Sequence, residues 1–203
     1  MSVKRKLVNT AYVLLTVMLV ILYIIPATGQ DLSAIGNLLG AGGSNTKLAY
    51  QLDTVNKACQ ITGIGRFKGS ELAIPPDVSG NKVTSIGDNA FCYAEGFTSL
   101  KVPYSVTIIG TYAFAYCGDL EKAEISYGTQ YLGIGMFMSC PNLKTVTLPA
   151  GINYIGEFTF YDCPKLSSIY FGGTKEQWSK IGANTYWNQN GKCTVYCSDG
   201  AVK

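Results

Sequence analysis

The chain contains no histidine. That removes the usual general base of a Ser-His or Cys-His pair, and the commonest metal-ligating side chain with it. Charge is scarce too. Only 14% of residues are charged, and the formal net charge of +3 comes from Lys4, Arg5 and Lys6, because the other 13 basic residues match 13 acidic ones. A neutral body carries no electrostatic footprint for nucleic acid, so that class of partner is excluded. No Gly-rich phosphate loop follows a strand and no cluster has metal-ligand spacing. Neither a metal nor another cofactor is expected.

What is present begins with an apolar run, "AYVLLTVMLVILYII" at residues 11–25, directly after the basic cluster and stopped by Pro26. A basic start, an apolar stretch and the small-x-small pair Ala27 and Gly29 describe a secretory leader over 1–29, cleaved before Gln30. The same stretch, retained, is an N-terminal anchor. Fifteen residues of helix span about 22 Å against a hydrocarbon core of roughly 30 Å. Either form exports the body, and membrane contact is expected through this segment only. Residues 30–47 are rich in Gly, Ala, Ser and Asn and read as a flexible linker, with room for a short helix at 32–39. From Leu48 the pattern turns to strands. Leu48, Tyr50 and Leu52 alternate, a polar turn "DTVNK" follows, and then "CQITGI", which predicts a hairpin.

The rest is periodic. "IGDNAFCYA", "IGTYAFAYC", "LGIGMFMSC" and "IGEFTFYDC" start 23 residues apart. Gly87, Gly110, Gly133 and Gly156 form one column; Phe91, Phe114, Phe137 and Phe160 form another. Leu100, Ala123, Val146 and Ile169 give a third, two residues ahead of Val102, Ile125, Leu148 and Phe171. That alternation predicts a short strand per unit. The glycine column is expected at a tight turn with positive φ, and the Phe-x-x-Cys segment at a helical or 3₁₀ turn. One unit buries about six apolar side chains at roughly 1.5–3 kcal/mol each, less than the backbone entropy of ordering it. Only a stacked array is stable.

"LKTVTLPAGINYIGEFTFYDC", from Leu143, closely resembles the leucine-rich repeat of the BspA-like family, whose units run Leu-x-x-Ile-x-Leu-Pro and then Ile-Gly-x-x-Ala-Phe-x-x-Cys. The resemblance covers roughly residues 48–200. It implies a mostly β, right-handed repeat solenoid with a parallel strand ladder, an extracellular or surface address, and a binding role. Four to five coils are expected over 74–171, between an N-terminal hairpin cap at 48–73 and a C-terminal helix-strand cap at 172–203. Departures are visible: Ala94 stands where later units have cysteine, "AIPPDVSGNKV" is about five residues longer than its counterparts, and Met136 replaces alanine. In the C-terminal cap, Thr174 and Glu176 mark a helix start and Gly182 its stop, with Trp178 covering the last coil and "CTVYC" a final strand.

Cys117, Cys140 and Cys163 fall in one column facing inward. Parallel side chains about 4.7–4.9 Å apart do not suit a disulfide, so they read as a buried reduced ladder making weak S–H contacts to backbone carbonyls. The competing reading, reactive or metal-binding thiols, lacks a base and an exposed setting. Cys59, Cys92, Cys193 and Cys197 leave room for a disulfide in an exported protein. A glycosidase would need paired carboxylates, but Glu121 and Glu124 are three apart and point to opposite faces of a strand. Binding is better supported. Lys101, Lys122, Glu124, Thr145, Thr147, Ser168 and Tyr170 should face outward along the ladder, with Lys101 beside Glu124 and Tyr170 as the amphipathic anchor. Tyr93 with Tyr116, Tyr104 with Tyr127, and Tyr131 with Tyr154 form further rows, either structural stacks or a sugar-binding shelf. The expected function is non-enzymatic binding of an extracellular protein or glycan. A ligandless structural spacer is the alternative, and a glycan-active enzyme comes last.

Overall fold

The 23-residue period becomes one turn of a solenoid. The computed structural model describes residues 48–183, 186–188 and 193–202. The leader or anchor at 1–29 and the linker at 30–47 lie outside them. Among the described residues no helix is long and apolar enough to cross a membrane.

β1 (Ala49–Asp53) and β2 (Ala58–Gly63) form the expected antiparallel hairpin. Its polar turn is held by Asp53, whose carboxylate accepts from the backbone N–H groups of Val55 and Asn56 and from Asn56 Nδ2. The chain continues through β3 (Glu71–Ala73), β4 (Asp77–Val78) and β5 (Asn81–Ile86). It then alternates four-residue and two-residue strands: β6 (Ser99–Val102), β7 (Ile108–Ile109), β8 (Lys122–Ile125), β9 (Tyr131–Leu132), β10 (Thr145–Leu148), β11 (Tyr154–Ile155) and β12 (Ser168–Phe171). Helix α1 (Lys175–Ser179), β13 (Gly182–Ala183), β14 (Thr194–Cys197) and β15 (Gly200–Val202) complete it.

The longer strands stack into one parallel ladder in the order β3, β6, β8, β10, β12, β14, closed by antiparallel β15. This is six rungs rather than four or five coils. The two outer rungs keep the hydrogen-bond register after losing the repeat's sequence. β3 precedes the long insertion, and β14 follows α1 and pairs in register with β12. A second wall carries the short strands, with β2, β5 and β7 in one sheet and β9, β11 and β13 in another.

The third wall is neither helical nor 3₁₀. Its amides alternate in duty. Ala90, Cys92 and Ala94 close turns onto Gly87, Asn89 and Phe91, while Asn89, Phe91 and Tyr93 donate to Thr111, Ala113 and Ala115 of the next coil. The same outward donation joins Tyr112, Phe114 and Tyr116 to Ile134, Met136 and Met138. To aim alternate amides outward the backbone visits left-handed space at two columns: Asn89, Tyr112, Gly135 and Phe158, and Tyr93, Tyr116, Ser139 and Asp162, all with φ between 53° and 59°. Non-glycine residues are strained there by roughly 1–2 kcal/mol each. The coil-to-coil hydrogen bonds hold them in place.

The glycine column does different work from that expected. Gly87, Gly110, Gly133 and Gly156 are absent from the positive-φ positions. They are small because coils touch there. A Cβ on Gly133 would stand 2.6 Å from Gly110 O, and one on Gly156 would stand 2.8 Å from Gly133 C. Gly87, at the start of the column, would meet nothing nearer than 3.5 Å.

The core lies between the walls as a stack of phenylalanine rings. Phe91–Phe114, Phe114–Phe137 and Phe137–Phe160 have centroids 4.9, 5.8 and 5.8 Å apart, and Trp187 meets Phe160 edge-on at 6.0 Å. At the C-terminal end, Thr174 caps α1 in a reciprocal box with Gln177. The helix stops at Ser179 with Lys180 as its cap, three residues before Gly182, which is in β13. Trp178 meets Phe171 edge-on at 5.2 Å and covers the last apolar rung.

Candidate functional site

Alternation in each ladder strand buries Leu100, Val102, Ala123, Ile125, Val146, Leu148, Ile169 and Phe171 and leaves two outward rows. Backbone register defines them. Glu71, Ser99, Lys122, Thr145, Ser168 and Thr194 are neighbours in one; Ala73, Lys101, Glu124, Thr147, Tyr170 and Tyr196 in the other. All seven residues expected on this face therefore lie in these two rows, one rung apart.

The face is graded. Its N-terminal end is charged, its middle carries hydroxyls, and its C-terminal end is aromatic. Lys101 Nζ pairs with Glu71 at 2.7 Å, not with its register neighbour Glu124. Hydrogen bonding and charge from Glu71 raise the lysine's pKa, and Glu124 adds a smaller push in the same direction. Sequence reasoning missed Glu71 because the segment around it carries no repeat. It also missed Tyr196, whose ring stacks on Tyr170 at 5.3 Å, 19° from parallel. Tyr196 follows Tyr170 by 26 residues instead of 23, so the period hides it. The only available signal was strand alternation within "CTVYC".

Glu121 leaves this face and pairs with Lys144 at 2.7 Å. A Glu121–Glu124 pair is therefore not assembled. Among the described residues no group of histidine, cysteine or acidic side chains could hold a metal ion.

Cys117, Cys140 and Cys163 are buried in one row, and their thiols donate to the carbonyls of Phe91, Phe114 and Phe137 at 3.2, 3.2 and 3.0 Å. The Cys140 thiol is pushed up by hydrogen bonding with Cys117, with burial adding to it, and the Cys163 thiol by Cys140 and then by burial. Such thiols are poor nucleophiles at neutral pH. Burial lifts Cys59 to about 11. All seven cysteines are free, so no disulfide joins Cys59, Cys92, Cys193 or Cys197, and Cys193 Sγ accepts from Asn188 Nδ2 at 2.9 Å.

The other tyrosine rows differ among themselves. Tyr93 stacks on Tyr116 at 4.5 Å and Tyr104 on Tyr127 at 5.5 Å. Tyr131 and Tyr154 are register partners on the second wall and stay exposed.

The model of the BspA type leucine-rich repeat region matches residues 68–192 in six copies, more than half of the chain. Solved structures agree on the fold. A leucine-rich cell surface protein from Faecalibacterium prausnitzii superposes with a TM-score of 0.58 and 24% identity over 68% of this chain and 41% of its own. A leucine-rich repeat protein from Bacteroides capillosus gives 0.56 and 28% over 63% of this chain and 95% of its own. The chain thus spans about two fifths of the Faecalibacterium protein and nearly all of the Bacteroides one. Among curated proteins none matches significantly.

Proposed function

Because the chain belongs to the BspA-type leucine-rich repeat family, we propose that its solenoid is a non-enzymatic binding module, carried to the cell surface or secreted. Its partner is an extracellular protein or glycan, and the strand-ladder face receives it. The supporting observation is the graded face itself, where Lys101, Lys122, Glu124, Thr145, Thr147, Ser168 and Tyr170 stand at fixed spacing on a rigid wall. Stacked coils present several side chains in a line without any loop ordering on binding, which lowers the entropic cost of association. Unlike charges beside hydroxyls and a tyrosine pair suit a polypeptide better than a neutral polymer.

The outward address rests on the pattern at 1–29, in keeping with the Faecalibacterium relative being a cell surface protein. Mass spectrometry of the processed protein should find an N-terminus at Gln30 if the leader is cleaved, and the intact segment in membrane fractions if it anchors. Recovery wholly in the cytosol would defeat both. For binding, the protein is immobilised and screened against extracellular matrix proteins and glycans. Tyr170→Ala and Glu124→Lys should each weaken capture about tenfold with thermal stability nearly unchanged. Capture of nothing by the folded wild type would leave the chain a spacer.

A further inference from the structure

The wall of short strands carries a second surface that the ladder face does not use. Following register from the N-terminal hairpin, Gln51, Gln60 and Ser85 lie side by side, and Ile108 continues the row. One and two coils further on, the same position holds Tyr131 and Tyr154. Ile108, Tyr131 and Tyr154 are 64%, 56% and 40% exposed, which is unusual for three large apolar side chains in line. Beside them runs a row of small and amide side chains, Thr84, Thr107, Gln130 and Asn153, tied together at its start where Thr107 Oγ1 donates to Thr84 O at 3.3 Å. None of these residues is charged.

The row ends in a concavity. A cavity of about 310 Å³ opens where the hairpin meets β5, lined by Gln51, Gln60, Thr84 and Ser85 together with Asp53 and Cys59. Its carboxylate is already engaged: Asp53 accepts three hydrogen bonds within its own turn, which hold its pKa below the usual carboxylate value. The cavity thus offers amides and hydroxyls, and the shelf leading from it offers tyrosine rings.

We propose that this flank binds a neutral polysaccharide, laid along the solenoid axis with one end seated in the cavity. Sugar rings present apolar C–H faces and hydroxyl edges, so a ligand site for them combines aromatic surface with uncharged donors and acceptors. Tyr131 and Tyr154 supply the surface; Gln51, Gln60, Thr107, Gln130 and Asn153 supply the polar partners. The Tyr104–Tyr127 pair is not part of the shelf, because its two rings turn their faces to each other. A charged polymer finds no counter-charge in these rows. The coil repeat sets side chains at about 4.7–4.9 Å, so a polymer of repeating units meets repeating groups.

The test is affinity electrophoresis of the whole protein in gels containing mixed-linkage β-glucan, xyloglucan or galactomannan, with polygalacturonate as the anionic control. At least one neutral polymer should retard the wild type while polygalacturonate does not. The retardation constant should fall at least tenfold in Tyr131→Ala/Tyr154→Ala and in Gln51→Ala/Gln60→Ala, both checked for unchanged circular dichroism. It should persist in Tyr170→Ala and Glu124→Lys, which separates this surface from the ladder face. Retardation by polygalacturonate alone, by no polymer, or undiminished in both folded flank double variants overturns the assignment. So does sedimentation showing a wild-type dimer that Tyr131→Ala/Tyr154→Ala dissolves, because the shelf is then a contact between copies.

Discussion

The glycine column shows how one residue type is selected by a neighbour and not by its own backbone. A methyl at Gly133 must push into the carbonyl of Gly110, whereas one at Gly87 finds ordinary contact distances. Gly133→Ala should therefore cost about 1–3 kcal/mol by overpacking, and Gly87→Ala should stay within about 0.5 kcal/mol. Denaturant midpoints at constant slope would show it. Equal effects at both positions would mean that coil contact is not what selects glycine. The cysteines give a second residue-scale case. Cys140→Ser should destabilise by roughly 1–3 kcal/mol, since a more polar group replaces a buried thiol, and native Cys117, Cys140 and Cys163 should resist alkylation. Rapid labelling of all three would contradict the inward assignment. Their ionisation has a sign as well. With folded pKa values raised above the ordinary 9.0, the native thiols stay protonated while the unfolded chain ionises. Stability is then fully present below about pH 9 and falls above it, through the window up to about 11 for Cys59. Urea midpoints between pH 8 and 10.5 should decline, and a flat profile would refute the linkage.

At the level of elements, α1 is too short to be stable by propensity and depends on its cap. Thr174 and Gln177 satisfy each other's orphan groups in the first turn, and Trp178 rests on Phe171. Thr174→Ala should cost about 1 kcal/mol. Hydrogen exchange should quicken at the amides of Trp178, Lys180 and Ile181, which are bonded within this turn, and leave the Phe114 amide in the central coils untouched. Exchange quickening equally throughout would show that the cap and the array open as one unit. The turn wall shows the opposite dependence. Its left-handed tyrosines and Phe158 oppose local preference and persist because each such amide column bonds the next coil.

Across the whole molecule, each coil touches its neighbours through the same columns, so stability should approximate a sum of units and interfaces. Excising residues 110–132 joins Ile109 to Gly133, which occupies the place of Gly110. The shortened protein should keep a strand-rich circular dichroism spectrum with a lower denaturant midpoint. An unfolded product would mean that the array tolerates only its full set of coils. Legibility follows the same division. The central coils were readable because Gly, Phe, Leu and Cys recur every 23 residues; the end rungs β3 and β14 were not, because their place comes from hydrogen-bond register without the repeat's side chains.

The residues by themselves determined the period, the strand alternation, the inward phenylalanine and cysteine columns and the family. Each of these is a local pattern repeated in place, and repetition makes a short pattern specific. Tertiary structure decided what depends on a partner outside the period. Lys101 turned to Glu71 and not Glu124, Tyr196 completed the stack begun by Tyr170, and the hairpin set a polar cavity at the end of a tyrosine shelf. In each case the partner comes from a segment with no repeat. Only stacking the coils brings that segment within reach.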